Sequence, residues 1–125
     1  MANDLSACPG PRRPGPLGED RAAEFLEAKG YRIVARNFRC RRGEVDIIAL
    51  DGDVLVFVEV KAWRRYGFDS LEHAVNIKKQ RKIMHTAEFF LSHSQIYDYK
   101  SIRFDVIFIG TAEMTHLVSA FVADG

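Results

Sequence analysis

The stretch GEVDIIALDGDVLVFVEVK, Gly43 to Lys61, decides how the rest of the chain is read. Two apolar, β-branched runs flank Asp51-Gly52, a strong hairpin signal. With Asp51-Gly52 as a two-residue turn, Leu50 faces Asp53, Asp46 lies opposite Phe57, and Glu44 lies opposite Glu59. Side chains alternate with period two. Glu44, Asp46, Phe57, Glu59 and Lys61 then project from one face, and Val45, Ile47, Val56, Val58 and Val60 from the other. Asp46 and Glu59 become diagonal neighbours with Cα atoms roughly 7–8 Å apart. A slip of one residue would separate the two acids.

Like charges placed this close destabilise a sheet. An uncompensated carboxylate at a partly buried site costs several kcal/mol. A divalent cation would compensate both, and an oxygen-rich site suits Mg²⁺ or Mn²⁺. The plainer alternative is two acids at an open strand end, each simply solvated. Asp46, Glu59 and Lys61 on adjoining strands favour a site over that alternative.

Working outward, GEDRAAEFLEAKG reads as a helix closed by Gly30 in the left-handed conformation. Glu19 shares its apolar stripe with Ala22, Ala23 and Leu26. YRIVARNF reads as the first strand, followed by the two strands of the hairpin. The periodicity predicts a long helix over about 69–93, with Phe89 and Phe90 in its core. SIRFDVIFIG reads as a fourth strand and THLVSAFV as a fifth. The order α-β-β-β-α-β-β implies an α/β fold with a sheet flanked by helices. Residues 1–17 hold all four prolines and little apolar bulk, and read as a disordered leader. Residues 18–125 read as a single domain.

At 125 residues the chain is long enough to bury a sizeable core. Its longest apolar run is far too short to span a bilayer. With no signal-like apolar segment near the N-terminus, the chain reads as cytoplasmic. Cys8 and Cys40 supply neither a disulfide framework nor metal-ligand spacing. The four histidines form no ligand pair and read as structural or surface residues.

Net charge is only +1, but twelve of the eighteen Lys and Arg fall in segments 32–42 and 61–82. Those two segments hold only two acids, Asp69 and Glu72. This asymmetry points to a basic face for an anionic partner. Solvated charged faces are the alternative on charge alone.

Asp46, a spacer, and Glu59-Val60-Lys61 at the end of the next strand resemble the PD-(D/E)XK nuclease motif. GEDRAAEFL, ARNFR, GEVDIIALD, VFVEVK, KKQRKI and RFDVIF together resemble the YraN family of predicted endonucleases, over about three quarters of the chain. The resemblance implies a restriction endonuclease-like αβββαβ core with a mixed central sheet, similar in fold to Holliday-junction resolvases. It also implies metal ligands at Asp46 and Glu59, with Lys61 orienting the attacking water. Glu19 matches a third acid on the first helix; a first-turn acid favoured by the helix dipole is the alternative.

The implied activity is Mg²⁺- or Mn²⁺-dependent hydrolysis of DNA, structure-specific at branches or junctions, and the implied assembly is a homodimer. Arg41, Arg42, Arg64, Arg65, Lys78, Lys79, Gln80 and Lys82 are the candidate nucleic-acid contacts, although a surface role suits Gln80 as well. Trp63 stands where members commonly carry an arginine. Trp63, Tyr66 and Phe68 could stack on unpaired bases or simply pack. The rival reading is a non-catalytic nucleic-acid-binding module that keeps the nuclease fold. A metal-stabilised structural protein is a third.

Overall fold

The computed structural model describes residues 17–62, 75–94, 98–110 and 113–122. Helix α1 spans Leu17–Ala28 and strand β1 Arg32–Cys40; β2 covers Gly43–Asp51 and β3 Val54–Ala62. Helix α2 runs Ile77–His93, followed by β4, Ser101–Ile109, and β5, Met114–Phe121. The five strands form one sheet in the order β1-β2-β3-β4-β5. Only β3 and β4 are parallel, from Val54 opposite Ser101 to Ala62 opposite Ile109, and α2 lies in the connection between them. This is a mixed-sheet α/β fold, consistent with a restriction endonuclease-like core. Residues 1–16 of the expected leader lie outside the described residues; Leu17 already belongs to α1.

Local chemistry places each element. Helix α1 ends as its glycine requires: Gly30 sits at φ +95°. Its N–H donates to Glu27 O at 3.0 Å, and Tyr31 N–H donates to Leu26 O at 3.0 Å. That pair of bonds is a Schellman cap. Helix α2 starts later than the periodicity predicts. Val75 and Asn76 are not helical, because Asn76 takes an extended conformation and its side chain accepts Lys79 N–H at 2.9 Å. This N-cap satisfies a donor that the helix cannot; residues 69–74 are outside the described set.

The hairpin register differs from expectation by two residues. Asp51 pairs with Val54 and Ile48 with Phe57, so the turn is Gly52-Asp53. Gly52 alone takes a positive φ, +66°, the type II′ pattern with glycine first. A shift of two leaves every side chain on its expected face. The β2–β3 ladder stops at Ile47–Val58. Beyond it the Asp46 carboxylate accepts Val60 N–H at 2.7 Å. Alternation is broken there, and Val45 packs on the α2 side rather than with Ile47.

The sheet therefore carries two cores. Ala22, Ala23 and Leu26 of α1 pack with Ile47, Val56, Val58 and Ile107. Ile83, Ala87 and Phe90 of α2 pack with Val45, Ile48, Phe57 and Phe104 on the other side. Phe90 meets Phe38 and Phe57 edge to face at 5.2 and 6.1 Å, an arrangement favoured by ring quadrupoles.

Candidate functional site

The two acids of the hairpin are buried where the ladder opens. Asp46 is 8% exposed and Glu59 5%, and their carboxyl groups lie close enough to act on one another. Two buried carboxylates so close ionise together only at a cost. Burial raises both pKa values, Glu59 to about 7, with the charge of Asp46 adding to the rise. Lys79 and Lys61 oppose it at Glu59, and Val60 N–H opposes it at Asp46.

Lys61, two residues beyond Glu59 on β3, is half-buried and acts on Glu59 through its charge. Lys79 comes from the first turn of α2 and places Nζ 3.3 Å from Glu59 Oε2. Sequence reasoning assigned Lys79 to phosphate and missed this ion pair; the Asn76 cap, which fixes the start of α2, was the available signal. Glu19 is buried at 6% exposure in the first turn of α1. Among the described residues, no three His, Cys, Asp or Glu side chains are placed to hold one ion. The structure brings Asp46 and Glu59 together.

A cleft of about 580 Å³ lies beside the pair, between the β1–β2 turn and α2. Arg39, Arg41, Arg42, Lys79 and Lys82 line it, with Glu44 as its acid. Glu44 also bears on Asp46 through its charge, so cleft and carboxylates adjoin. Arg41, Arg42, Lys78 and Lys82 are exposed. Gln80 is used locally, its Nε2 donating to Val75 O at 3.0 Å. Arg64 and Arg65, together with Trp63, Tyr66 and Phe68, lie outside the described residues.

A second polar cluster went unseen in the sequence. Asp105, fully buried, accepts from Arg103 Nε and Nη2 at 2.9 and 3.0 Å, from His116 Nε2 at 2.7 Å and from Ser119 N–H at 3.0 Å. Arg103 also reaches Asp51 and the Tyr31 hydroxyl at 3.1 and 2.7 Å. Burial alone would raise the Asp105 pKa, but the bonds from His116, Arg103 and Ser119 outweigh it and hold the pKa low. An aspartate inside RFDVIFI, two residues from an arginine of the same parity, was the signal. His116 is thus structural, as read, but through a specific network.

The mixed five-stranded sheet with a helix on each face makes this an α/β protein whose fold is consistent with a restriction endonuclease-like core. A family model described as "Uncharacterised protein family UPF0102" matches residues 18–109. The chain is 44% identical over 110 residues to a UPF0102 protein of Persephonella marina, covering 88% of this chain and 94% of that one. A relative from Geobacter sulfurreducens is 46% identical over 112 residues, covering 86% and 87%. One from Syntrophus aciditrophicus is 50% identical over 97 residues, covering 76% and 74%. The chain belongs to the UPF0102 family, which is the YraN type.

Proposed function

We propose that this protein is a metal-dependent phosphodiesterase acting on DNA, with branched or junction DNA as the favoured class. The observation that carries the reading is the buried Asp46–Glu59 pair, with Lys61 two residues further along β3 and with Lys79, which lines the basic cleft, reaching Glu59. Nothing in the core needs two carboxyls there, and their mutual repulsion is a cost that a folded state would otherwise avoid.

The donor set fits a hard divalent cation, since Mg²⁺ is commonly held by one or two carboxylates with water and phosphate oxygens completing its shell. When bound there, Mg²⁺ or Mn²⁺ supplies Lewis acidity and lowers the pKa of water. Asp46 and Glu59 would hold it in their ionised forms. Val60 N–H fixes Asp46 Oδ2 and so aims the other oxygen. Lys61 orients the attacking water and offsets charge growing on the phosphate. Arg41, Arg42 and Lys82 hold the backbone of the substrate through phosphates, with Arg64, Arg65 and Lys78 as further candidates. Contacts of this kind bind strongly at low salt and read little sequence.

The test is a Mg²⁺ and Mn²⁺ cleavage screen over single-stranded, duplex, flap and four-way-junction DNA. Asp46→Asn and Lys61→Ala run beside the wild type, with binding measured in parallel. The expected result is cleavage by the wild type alone, with binding kept by both variants. Tight binding without wild-type cleavage would establish the non-catalytic module instead. Cleavage by Asp46→Asn at the wild-type rate would place the activity elsewhere.

A further inference from the structure

Lys79 belongs to both parts of the site. Its ammonium sits 3.3 Å from Glu59 Oε2, and the same side chain lines the cleft with Arg41, Arg42 and Lys82. Its backbone is fixed, because Lys79 N–H is taken by Asn76 Oδ1 at 2.9 Å. Any movement is therefore confined to the four-carbon stem, which is flexible and carries three rotatable donors. The side chain is 34% exposed against 6% for Glu59, so it spans the boundary between the buried pair and the open cleft.

An ammonium and a divalent cation cannot both sit against the same carboxylate oxygen, since like charges at such distances repel strongly in a poorly solvated site. We propose that Lys79 is an exchange residue: it holds Glu59 in the cation-free protein, and it turns to a phosphate oxygen in the cleft when a divalent cation occupies the carboxylates. This inference rests on reading Asp46 and Glu59 as a cation site. Its consequence is cooperativity. Cation binding frees a positive charge for the cleft, and an anion in the cleft draws Lys79 off Glu59. Linkage makes the two effects equal. Lys82, one turn further along α2, lines the cleft but does not appear in the ion pair with Glu59, and provides the control.

The experiment measures Mn²⁺ affinity of the full chain by electron paramagnetic resonance of the free ion. Sodium sulfate, as the phosphate-like probe, is compared with sodium chloride at matched ionic strength. In the wild type, sulfate should raise Mn²⁺ affinity by about five-fold or more, the lower end of ordinary coupling. Lys79→Ala should bind Mn²⁺ at least as tightly as wild type in chloride and lose the sulfate effect. Alanine is favoured in a helix, so this variant should fold, as circular dichroism would show. Lys82→Ala should need more sulfate but keep the coupling. Mn²⁺ binding without coupling in the wild type, or with full coupling in Lys79→Ala, overturns the exchange and leaves the cation site standing. No Mn²⁺ binding by the wild type overturns both.

Discussion

Asp46 and Glu59, buried on the neighbouring antiparallel strands β2 and β3, lie close enough for the carboxyl group of each to act on the other. Burial and the charge of Asp46 push the Glu59 pKa up to about 7, from an ordinary value of 4.5. Between those values the folded protein keeps a proton that the unfolded chain has released, so stability falls as pH rises through that window. Below about pH 4 the penalty is absent; above about pH 7 it is complete. Glu59→Gln removes the titration. Relative to wild type, the variant should gain roughly 2 kcal/mol between pH 5 and pH 8. Urea unfolding at both pH values measures it. Mg²⁺ at pH 8 should raise the wild-type melting temperature and leave that of Glu59→Gln nearly unmoved. A variant whose stability tracks wild type at both pH values would remove the raised Glu59 pKa from the account.

The network at Asp105 makes the opposite prediction. Asp105 has a lowered pKa in the fold, so its contribution is present above the unfolded carboxyl pKa and lost as pH falls through the folded one. Removing it leaves Arg103, whose side chain is 16% exposed, to the half-exposed Asp51 and takes the acceptor from His116 and Ser119 N–H. Asp105→Ala should cost about 3–5 kcal/mol, the usual cost of breaking a buried pair by removing one partner. Arg103→Met combined with Asp105→Leu should cost less than Asp105→Ala alone, since apolar packing replaces the pair. Chemical denaturation of both variants decides it. Equal losses would mean that the network's hydrogen bonds, rather than the loss of the buried partner of Arg103, set the cost.

How much of this was legible depended on whether the signal was local. The element order and the faces of the paired stretch, Ile47–Asp51 against Val54–Val58, follow from period-two alternation and survive a turn misplaced by one residue at each end. Asp46 lies just beyond it, where the alternation breaks and its carboxylate takes Val60 N–H. Asp51-Gly52 looks like the turn because Asp-Gly is a strong hairpin dipeptide. Glycine instead takes the first turn position, and Asp51, at the end of β2, pairs with Arg103 of β4. The start of α2 was hidden because apolar spacing continues through Val75, while the Asn76 cap stops the helix. Lys79 against Glu59, and His116 against Asp105, join side chains 20 and 11 positions apart through tertiary packing. No periodicity encodes such contacts.

Nucleic-acid binding should follow the cleft. Arg41, Arg42 and Lys82 are exposed and line it. Each neutralised phosphate contact should lower the slope of log affinity against log salt by about 0.9 for duplex DNA and about 0.7 for a single strand. Single alanine substitutions at these three positions should weaken binding alike across sequences. Fluorescence anisotropy over a salt series reads both effects. A folded preparation that binds no nucleic acid at low salt would leave the cleft without its proposed ligand.

The last expectation concerns what holds the cleft to the carboxylates. Gly43 opens β2 directly after Arg41 and Arg42, and a Cβ at that position would lie 3.0 Å from Thr86 Oγ1 and 3.4 Å from Lys82 Cβ. Thr86 is fully buried, and its hydroxyl donates to Lys82 O at 2.8 Å, so it has a bond to lose by turning away. The missing side chain at Gly43 is therefore what lets the arginine turn sit against α2. Gly43→Ala should cost about 1–3 kcal/mol, the ordinary range for overpacking. Because the turn and the helix carry opposite walls of the cleft, the variant should also weaken anion binding without touching any cation directly. Thr86→Ala removes the obstructing oxygen. In that background Gly43→Ala should be close to neutral, giving a clear coupling term in a double-mutant cycle. Additive costs would locate the strain in the backbone of Gly43 rather than in its approach to α2. Gly52→Ala is the contrast: nothing lies within 4 Å of its Cβ, but its φ is +66°. Its cost of about 1–2 kcal/mol should be unaffected by Thr86→Ala, and the cleft should bind as before.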